Sequence, residues 1–364
     1  MFKVVEVNDN DIFGKVFNGY DIMENLNKDK RFNIKQLVLK KYSNNKNVIE
    51  FVPGENLFLK EYYLHNLEHD FLSVHSLITV SNEFIRRNYY YKNADLVHFH
   101  QVHNCHFSLD DFFDMAMTKP TIISLHDPWF ATGRCVHPKE CKKWKNGCNK
   151  CPNLDTFFDL PEDNCAELWK IKERIADTDI DLVVHSKFMY DLVKESPYLS
   201  KLRVHLIPFG VDVSKFTYDL TKEEAKKKLN IFPKDIVIFL RENKAFKGTE
   251  YALEALKKLD VEQNITILTC SETDQLIGLE DKFNVVKLGI IDEDKVRECY
   301  NAADLFLMPS PAESFGMMAV EAMASGVPTF VFDNTALPST TGAPDYGILV
   351  KNSIRFFYLT EFNS

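Results

Sequence analysis

Ten short apolar runs alternate with amphipathic stretches along the 364-residue chain, and this alternation limits its possible folds most strongly. The runs are continuous, as is typical of strands covered by helices on both faces. Strand–helix alternation in two successive series predicts two α/β domains with parallel sheets. The predicted strands are 4–7, 95–100, 121–125, 181–185, 204–207, 235–240, 265–270, 285–288, 304–308 and 329–332. The predicted helices are 18–27, 166–176, 222–229, 250–259, 295–301 and 317–325.

The segment IPFGVDVSKF separates the two series, because Pro208 and Gly210 interrupt regular structure. We therefore predict one domain at 1–208 and a second at 209–364. Both are expected to be Rossmann-like and to face each other across a cleft. Ligands of such sheets bind beyond the carboxyl ends of the strands, so functional residues are expected directly after strands.

Composition excludes several classes of protein. The net charge is −9 and neither half of the chain is basic, which argues against a dedicated nucleic-acid-binding protein. No apolar run reaches the roughly 18 residues of a membrane-spanning helix, and the start, MFKVVEVNDND, is not typical of a signal peptide. We therefore expect a cytoplasmic protein, in which the eight cysteines are thiols or metal ligands more often than disulfides.

The most informative segment is DLFLMPSPAESFGMMAVEAMASGVP, residues 304–328. A buried strand and a turn precede Glu313, and SFG then begins a helix whose amides near 315–317 favour an anion such as a diphosphate. Gly316 allows a ligand to approach the backbone closely. Glu321, one turn into the helix, can accept hydrogen bonds from a diol such as ribose. The alternative is a surface helix with two solvated glutamates.

The phrase Glu313-x7-Glu321, with SFG between and EAMASGVP after it, resembles the donor-binding signature of retaining family 4 glycosyltransferases of the GT-B fold, or glycosyltransferase group 1. The resemblance extends over about residues 4–350. It implies that Glu313 contacts the donor sugar and Glu321 the ribose of the nucleotide, and that catalysis needs no divalent metal. The helix start implied to bind the donor is Ser314, Phe315, Gly316 and Met317.

The family also holds the donor diphosphate with an Arg and a Lys six positions apart. FLRENKAFKGTEY supplies these as Arg241 and Lys247, although Leu240 replaces the usual glycine before the Arg. Two fixed cations would stabilise the departing diphosphate more in the transition state than before bond cleavage. A solvated pair of loop cations is the alternative.

Further candidates follow strands in the first half. His126, in TIISLHDPW, resembles the family's His near the reacting sugar, where it could donate a hydrogen bond to the sugar or its phosphate. A structural strand-end histidine is the alternative. Gly14, in the first strand-to-helix loop, is implied to contact the diphosphate. Asp127 is expected to orient the turn or the histidine. The candidate acceptor contacts are Lys15, Asn18, His103 and Asp127.

Half of the cysteines occur in GRCVHPKECKKWKNGCNKCP, residues 133–152. Their spacing suits a tetrahedral thiolate site, so we predict structural zinc held by Cys135, Cys141, Cys148 and Cys151, with free thiols or disulfides as alternatives. The insert also contains six cations and one acid, which would suit an anionic membrane or a lipid-linked diphosphate. A solvated loop and a nucleic-acid-binding knuckle are the other interpretations. A second, weaker zinc candidate comprises His98, His100, His103 and His106.

The resemblance implies a hexosyltransferase that uses a nucleotide-diphosphate sugar as donor. The implied acceptor is a hydroxyl of a polyprenyl-diphosphate-linked glycan at the cytosolic membrane face, in capsule or lipopolysaccharide synthesis. A GT-B sugar-nucleotide epimerase and a non-catalytic donor-binding scaffold are the alternatives. The scaffold is considered because the family continues past the GILV strand with a closing helix, whereas KNSIRFFYLTEFNS follows here and the chain looks shortened.

Overall fold

Parallel β-sheets form the centre of both halves of the chain. The computed structural model describes residues 1–52, 54, 64, 66–77, 81–104, 107–152, 154, 159–216, 220–241, 247–270, 276 and 278–351. The chain divides into two units, Met1–Pro208 and Phe209–Ser364, each built on one parallel sheet flanked by helices. The predicted α/β fold class is confirmed. The tail that suggested a shortened chain lies, from residue 352, outside the described residues.

The first unit contains a seven-stranded sheet. Its strands are β1 (Phe2–Asn10), β2 (Phe32–Lys40), β3 (Val48–Glu50), β4 (Leu96–Phe99), β5 (Thr121–Leu125), β6 (Asp181–Val184) and β7 (Arg203–Leu206). They pair in parallel in the order β3-β2-β1-β4-β5-β6-β7. The described α-helices of this unit are α1 (Tyr20–Leu26), α2 (Ser81–Arg87), α3 (Tyr89–Lys92), α4 (Leu109–Thr118), α5 (Cys165–Glu173) and α6 (Lys187–Glu195).

The second unit contains a six-stranded sheet. Its strands are β8 (Ile236–Leu240), β9 (Ile265–Thr269), β10 (Asn284–Lys287), β11 (Leu305–Met308), β12 (Thr329–Phe332) and β13 (Ile348–Val350). They pair in parallel in the order β10-β9-β8-β11-β12-β13. The described helices are α7 (Val213–Phe216), α8 (Lys222–Lys228), α9 (Thr249–Lys258), α10 (Glu293–Ala302), α11 (Met317–Ala324) and α12 (Leu337–Thr341).

Burial explains the continuous apolar runs. Every residue of β9, β11 and β12 is buried. Phe239 and Phe306, on neighbouring strands, pack against each other and against Tyr300 of α10, with ring centroids 5.3–5.7 Å apart. A strand with a helix layer on each face has no solvent side, so its sequence shows no alternation. No described helix is long and apolar enough to cross a membrane.

Both sheets reverse their strand order at one point, and this point locates the loops with functional potential. In the first sheet the reversal lies between β1 and β4, and in the second between β8 and β11. A crevice forms there beyond the carboxyl ends of the strands. The chain segments that leave those ends begin at Asp11 and His100 in the first unit, and at Arg241 and Pro309 in the second.

Two of these segments touch through a glycine. Gly248 precedes α9 with a φ of 75°. A Cβ atom built on it would lie 1.8 Å from the carbonyl oxygen of Pro309, in the loop after β11. Any larger residue would therefore push apart the two loops at the reversal point of the second sheet.

We expect Gly248→Ala to lower the free energy of unfolding by about 2 kcal/mol or more, because the substitution combines backbone strain with a steric clash. Urea denaturation of the full chain measures this. Gly210→Ala is the matched control, since no heavy atom lies within 4 Å of its Cβ position. The control should stay within about 0.5 kcal/mol of wild type. Equal stabilities for all three proteins would show that the two loops are not in contact.

Candidate functional site

In the second unit, three of the predicted donor residues come together. Lys247 Nζ lies 2.7 Å from Glu313 Oε1, and Arg241 Nε lies 3.8 Å from the same oxygen. The exposed fractions of the three side chains are 13% for Lys247, 10% for Glu313 and 22% for Arg241. The alternative of a solvated pair of loop cations is wrong, because both cations lie beside a nearly buried carboxylate.

Backbone hydrogen bonds hold these residues at the end of the sheet. The Arg241 amide donates to Leu307 O at 3.0 Å, which continues the pairing of β8 with β11. The carbonyl oxygen of Glu313 accepts the Ala336 amide at 3.1 Å. Ser310 Oγ donates to Lys247 O at 3.4 Å. The cations and the carboxylate are thus placed by main-chain contacts that do not depend on their own charges.

The charges of this cluster also affect one another. Burial lowers the pKa of Lys247, and the charge of Arg241 lowers it further, while Glu313 opposes both effects. Two cations share one carboxylate here. An additional anion at this position would therefore be stabilised by the surplus positive charge.

Glu321 lies on α11, apart from this ion cluster. The Tyr300 hydroxyl lies 3.0 Å from Glu321 Oε2 and 3.1 Å from Met318 O. Burial raises the pKa of Glu321, and both this hydrogen bond and the charge of Arg241 partly oppose the rise. Glu321 is therefore not the freely solvated surface glutamate of the alternative interpretation. Tyr300 was not among the predicted site residues.

At the predicted helix start, packing within the unit requires a glycine. Gly316 precedes α11 with a φ of 92°, and a Cβ there would lie 2.5 Å from Leu337 Cδ2. The helix begins at Met317, so its first amide groups have no partner within the helix. Phe315 is buried and packs edge to face on Phe209, with ring centroids 5.1 Å apart. An Arg241 guanidinium nitrogen contacts Met318 Sδ.

In the first unit, the loop after β1 contains three predicted residues with different environments. Gly14 has a φ of 68°, and its carbonyl oxygen accepts the amides of Phe17 and Asn18. The Asn18 side chain is buried, and its amide donates to Asn10 O and Phe13 O at 3.0 and 3.2 Å. Asn18 therefore stabilises the loop through hydrogen bonds to its backbone. This role does not support the predicted contact of Asn18 with the acceptor. Lys15 lies over the ring of Tyr20, 5.4 Å from its centroid.

Asp127 and His103 form a pair. Asp127 Oδ2 lies 3.2 Å from His103 Nε2, and Asp127 Oδ1 accepts the Trp129 amide at 2.8 Å. The His103 ring stacks on Trp129 with centroids 5.0 Å apart. The carboxylate thus orients both the turn and a histidine, as expected, but the histidine is His103 and not its neighbour His126. His103 and Asp127 satisfy part of each other's hydrogen-bonding capacity.

His126 lies within a row of stacked imidazoles. Its ring centroid is 5.4 Å from that of His100 and 5.2 Å from that of His185, with ring planes within 13° of parallel. Burial lowers its pKa well below the ordinary value, and the neighbouring histidines add to this. His126 is therefore neutral at physiological pH, and the partner of its Nε2, at 3.1 Å, is His100 Nδ1. His100 and His185 were not predicted as neighbours of His126.

The two predicted metal sites stay predictions. Across the described part of the chain, three potential ligand atoms come within 4.8 Å of one another at Glu6, His98 and His100, and at no set of cysteines in the insert. His103 pairs with Asp127, and His106 lies outside the described residues. The insert cysteines are free thiols, so the disulfide alternative is wrong for Cys135, Cys141, Cys148 and Cys151. The thiols of Cys135, Cys141 and Cys148 interact electrostatically with one another, and a zinc ion in the insert stays a prediction.

The insert divides into a buried base and a basic surface. Arg134 is 1% exposed, so it does not belong to the surface patch. The buried Lys172 of α5 donates hydrogen bonds to the carbonyl oxygens of Trp129 and Gly133, both at 2.9 Å, and burial lowers its pKa to about 7. The exposed lysines are Lys139, Lys142, Lys143 and Lys150.

Comparison with known proteins supports this description of the second unit. Residues 221–355 match the family described as "Glycosyl transferases group 1". The chain is 31% identical over 211 residues to mannosylfructose-phosphate synthase of Agrobacterium fabrum, covering 51% of this chain and 46% of that protein. The chain thus spans less than half the length of this curated relative. Residues 221–355, which match the family, include all of the predicted donor residues except Gly14.

Solved structures share the fold over nearly the whole chain. The Anabaena protein HepE in complex with UDP-glucose superposes with a TM-score of 0.62 at 12% identity, covering 96% of this chain and 86% of that one. WaaG, a glycosyltransferase involved in lipopolysaccharide biosynthesis, gives a TM-score of 0.63 at 16% identity, with the same coverage. The two parallel-sheet units are therefore those of the GT-B fold.

We expect Glu321→Gln to raise the melting temperature at pH 7. Burial raises the pKa of Glu321 in the folded chain, so the ionised carboxylate destabilises the fold above the ordinary pKa of 4.5, whereas the neutral amide keeps the shape without the charge. The gain should vanish as the pH falls below 4.5, where the carboxyl group is protonated in both states. Thermal denaturation across this pH range measures it.

The matched control is Glu254→Gln, on the exposed face of α9, which should melt like wild type at every pH. A Glu321→Gln protein that melts at or below the wild-type temperature at pH 7 would contradict a destabilising carboxylate.

Proposed function

We propose that the protein is a retaining glycosyltransferase that transfers a hexose from a nucleotide-diphosphate sugar to a hydroxyl of a glycan. The observation that supports this most strongly is the cluster of Arg241, Lys247 and Glu313 beside the start of α11, with Glu321 on the same helix. All four lie within the segment that matches group 1 glycosyltransferases.

In this proposal Arg241 and Lys247 bind the diphosphate of the donor. Cleavage of the bond between sugar and phosphate places additional negative charge on the leaving group, and two cations fixed by backbone contacts stabilise that charge without reorganisation. The amides at the start of α11 contribute in the same sense. Glu313 neutralises part of this positive charge, so the repulsion between Arg241 and Lys247 is reduced before the donor binds.

The two glutamates would contact the polyol parts of the donor. Glu313 has one oxygen on Lys247, and its other oxygen can accept from a sugar hydroxyl. Glu321 would bind the ribose, and two observations support this: Tyr300 fixes one of its oxygens, and burial leaves its charge poorly solvated. Two ribose hydroxyls could donate hydrogen bonds to the remaining lone pairs of this carboxylate.

For the nucleotide, UDP is the first choice to test, because a structural neighbour is a complex with UDP-glucose. For the acceptor, we propose a polyprenyl-diphosphate-linked glycan of a bacterial capsule or lipopolysaccharide. The similarity to WaaG and the four exposed lysines of the insert support this choice. The enzyme would then act in the cytoplasm, peripherally on the inner face of the plasma membrane.

The donor site is tested by calorimetric titration of the full chain with UDP, GDP, ADP and UDP-glucose. We expect one nucleotide to bind with 1:1 stoichiometry. Glu321→Ala and Arg241→Ala should each weaken it by roughly 10–100-fold, the effect of losing hydrogen bonds to a charged group. Glu254→Ala is the control on an exposed helix face. Equal affinity for wild type and Glu321→Ala would rule out the ribose contact.

The reaction itself is tested with the nucleotide sugar that binds. Transfer to a polyprenyl-diphosphate-linked sugar, with the anomeric configuration of the donor kept in the product, supports the proposal. A new nucleotide-sugar isomer formed without any acceptor would indicate an epimerase instead. Tight donor binding with neither product would indicate a donor-binding scaffold.

A further inference from the structure

Three potential metal ligands meet in the centre of the first sheet. Glu6 of β1 is in register with His98 of β4, and His100 follows on the same face. His98 Nδ1 and His100 Nε2 each lie 2.9 Å from Glu6 Oε2. The ligand atoms of the three residues all lie within 4.8 Å of one another, and all three residues are buried. Strand pairing thus holds two imidazoles and one carboxylate together.

The spacing of these atoms suits a divalent ion of the first transition series. Such an ion lies about 2.1 Å from an imidazole nitrogen or a carboxylate oxygen. With 2.9 Å between Glu6 Oε2 and each nitrogen, the bonds from the ion to oxygen and to nitrogen would meet at about 90°. Neighbouring ligands of an octahedral site have this angle, and two histidines with one carboxylate are a common ligand set for such ions.

Both imidazoles also have partners for the nitrogen that would not bind the ion. Ser124 Oγ lies 2.9 Å from His98 Nε2, and His126 Nε2 lies 3.1 Å from His100 Nδ1. The His100 ring also forms a hydrogen bond with the backbone of Phe17. A histidine bound to a metal ion donates its remaining N–H to a neighbouring acceptor, which orients the ring. The cluster therefore has the outer contacts that a metal site requires.

Glu6 is a buried carboxylate without a fixed cation. Its side chain is 2% exposed. Among the ion pairs of the described residues, its partners are His98 and His100, and no lysine or arginine pairs with it. A buried carboxylate requires a compensating cation or several hydrogen bonds. A divalent ion between the carboxylate and two neutral imidazoles would supply that positive charge.

The main chain beside the cluster leaves space next to the ligand atoms. Gly19 precedes α1 with a φ of 81°. A Cβ on Gly19 would lie 2.7 Å from both Glu6 Oε2 and His100 Nε2. Any side chain at this position would therefore enter the space beside two of the three ligand atoms.

We propose that Glu6, His98 and His100 bind a divalent transition-metal ion of the first row, which joins β1 to β4. The ion is structural, because its ligands are buried within the sheet. It therefore agrees with the expectation that catalysis needs no divalent metal, and it does not depend on the proposed function. The weaker zinc candidate of the sequence analysis shares two of these ligands, and Glu6 replaces its His103 and His106.

Hydrogen bonds without a metal ion are the competing explanation, because 2.9 Å is also the length of an N–H···O bond. The His100 ring would then donate to Glu6 as well as to the backbone of Phe17, whereas a neutral imidazole has a single N–H. With a metal ion on Nε2, that N–H is available to Phe17. A doubly protonated His100 would also satisfy both acceptors, so metal binding decides between the two explanations.

Metal binding is measured on the tag-free full chain, stripped with EDTA, dialysed and titrated with Co²⁺. We expect one equivalent of cobalt with the visible absorption of nitrogen and oxygen ligands. Cobalt bound by thiolates adds an intense near-ultraviolet band, which would indicate the insert cysteines, and the Cys148→Ser/Cys151→Ser double variant removes that contribution. A double variant that binds no cobalt overturns the proposal.

Variants of the ligands test the assignment. Glu6→Gln and His98→Gln should each weaken cobalt binding at least roughly 100-fold, since each removes a ligand. Glu83→Gln, on the exposed face of α2, is the matched control and should bind cobalt like wild type. Zn²⁺ should raise the melting temperature of wild type and of this control more than that of Glu6→Gln, because an ion that binds only the folded state stabilises it.

Undiminished cobalt binding in folded Glu6→Gln overturns the proposal, and so does an equal effect of Zn²⁺ on the melting temperatures of Glu6→Gln and the control. Urea denaturation establishes that the variants fold. If Glu6→Gln does not fold, His98→Gln replaces it, because its amide can still form a hydrogen bond with Ser124.

Discussion

Parallel pairing of all the described strands is the constraint on which the rest of the structure depends. In a parallel sheet every strand ends at the same edge, so each loop that follows a strand is delivered to one side of the unit. The reversal of strand order separates two of these loops enough to open a crevice. In the second unit the segments after β8 and β11 supply the cations and Glu313, and in the first unit the segments after β4, β5 and β6 supply the stacked histidines.

Buried charges are compensated by different means in the two units. The second unit pairs Glu313 with Lys247, which leaves the pair able to exchange partners when a charged ligand arrives. The first unit places one buried carboxylate, Glu6, within hydrogen-bond distance of two histidines, which lower its pKa to about 2. The ion pair of the second unit suits the binding of an anion. The hydrogen-bonded carboxylate of the first unit suits the precise orientation of a neutral group.

Local sequence was sufficient to predict the strands at the centre of the sheets and the start of α11, because continuous burial and a glycine before a helix leave local patterns. It was not sufficient for β2, FNIKQLVLK, because Lys35 and Gln36 interrupt its apolar residues. Gln36 is nonetheless fully buried, since its amide donates to Asn18 O at 2.6 Å. Such a partner, 18 residues away, cannot be inferred from periodicity.

The same limit applies to the site. Arg241, Lys247, Glu313 and Glu321 follow a motif, whereas Glu6 and His100 are 94 residues apart and meet only through strand pairing. Tyr300 resembles any core aromatic in the sequence, and its contact with Glu321 depends on how α10 packs beside α11. The zinc ion that the spacing of the insert cysteines predicts stays a prediction, because a spacing in the sequence does not give the distances between sulfur atoms.

The contact between Gly248 and Pro309 also has an evolutionary consequence. Since the backbones of the two loops touch without an intervening side chain, neither loop can change its path while the other stays in place. A change in the path of the loop that contains Lys247 would displace the turn that leads to Glu313. A change in the path of that turn would displace Lys247. Descendants of this sequence would therefore diversify in other loops first, and would inherit these two as a single unit.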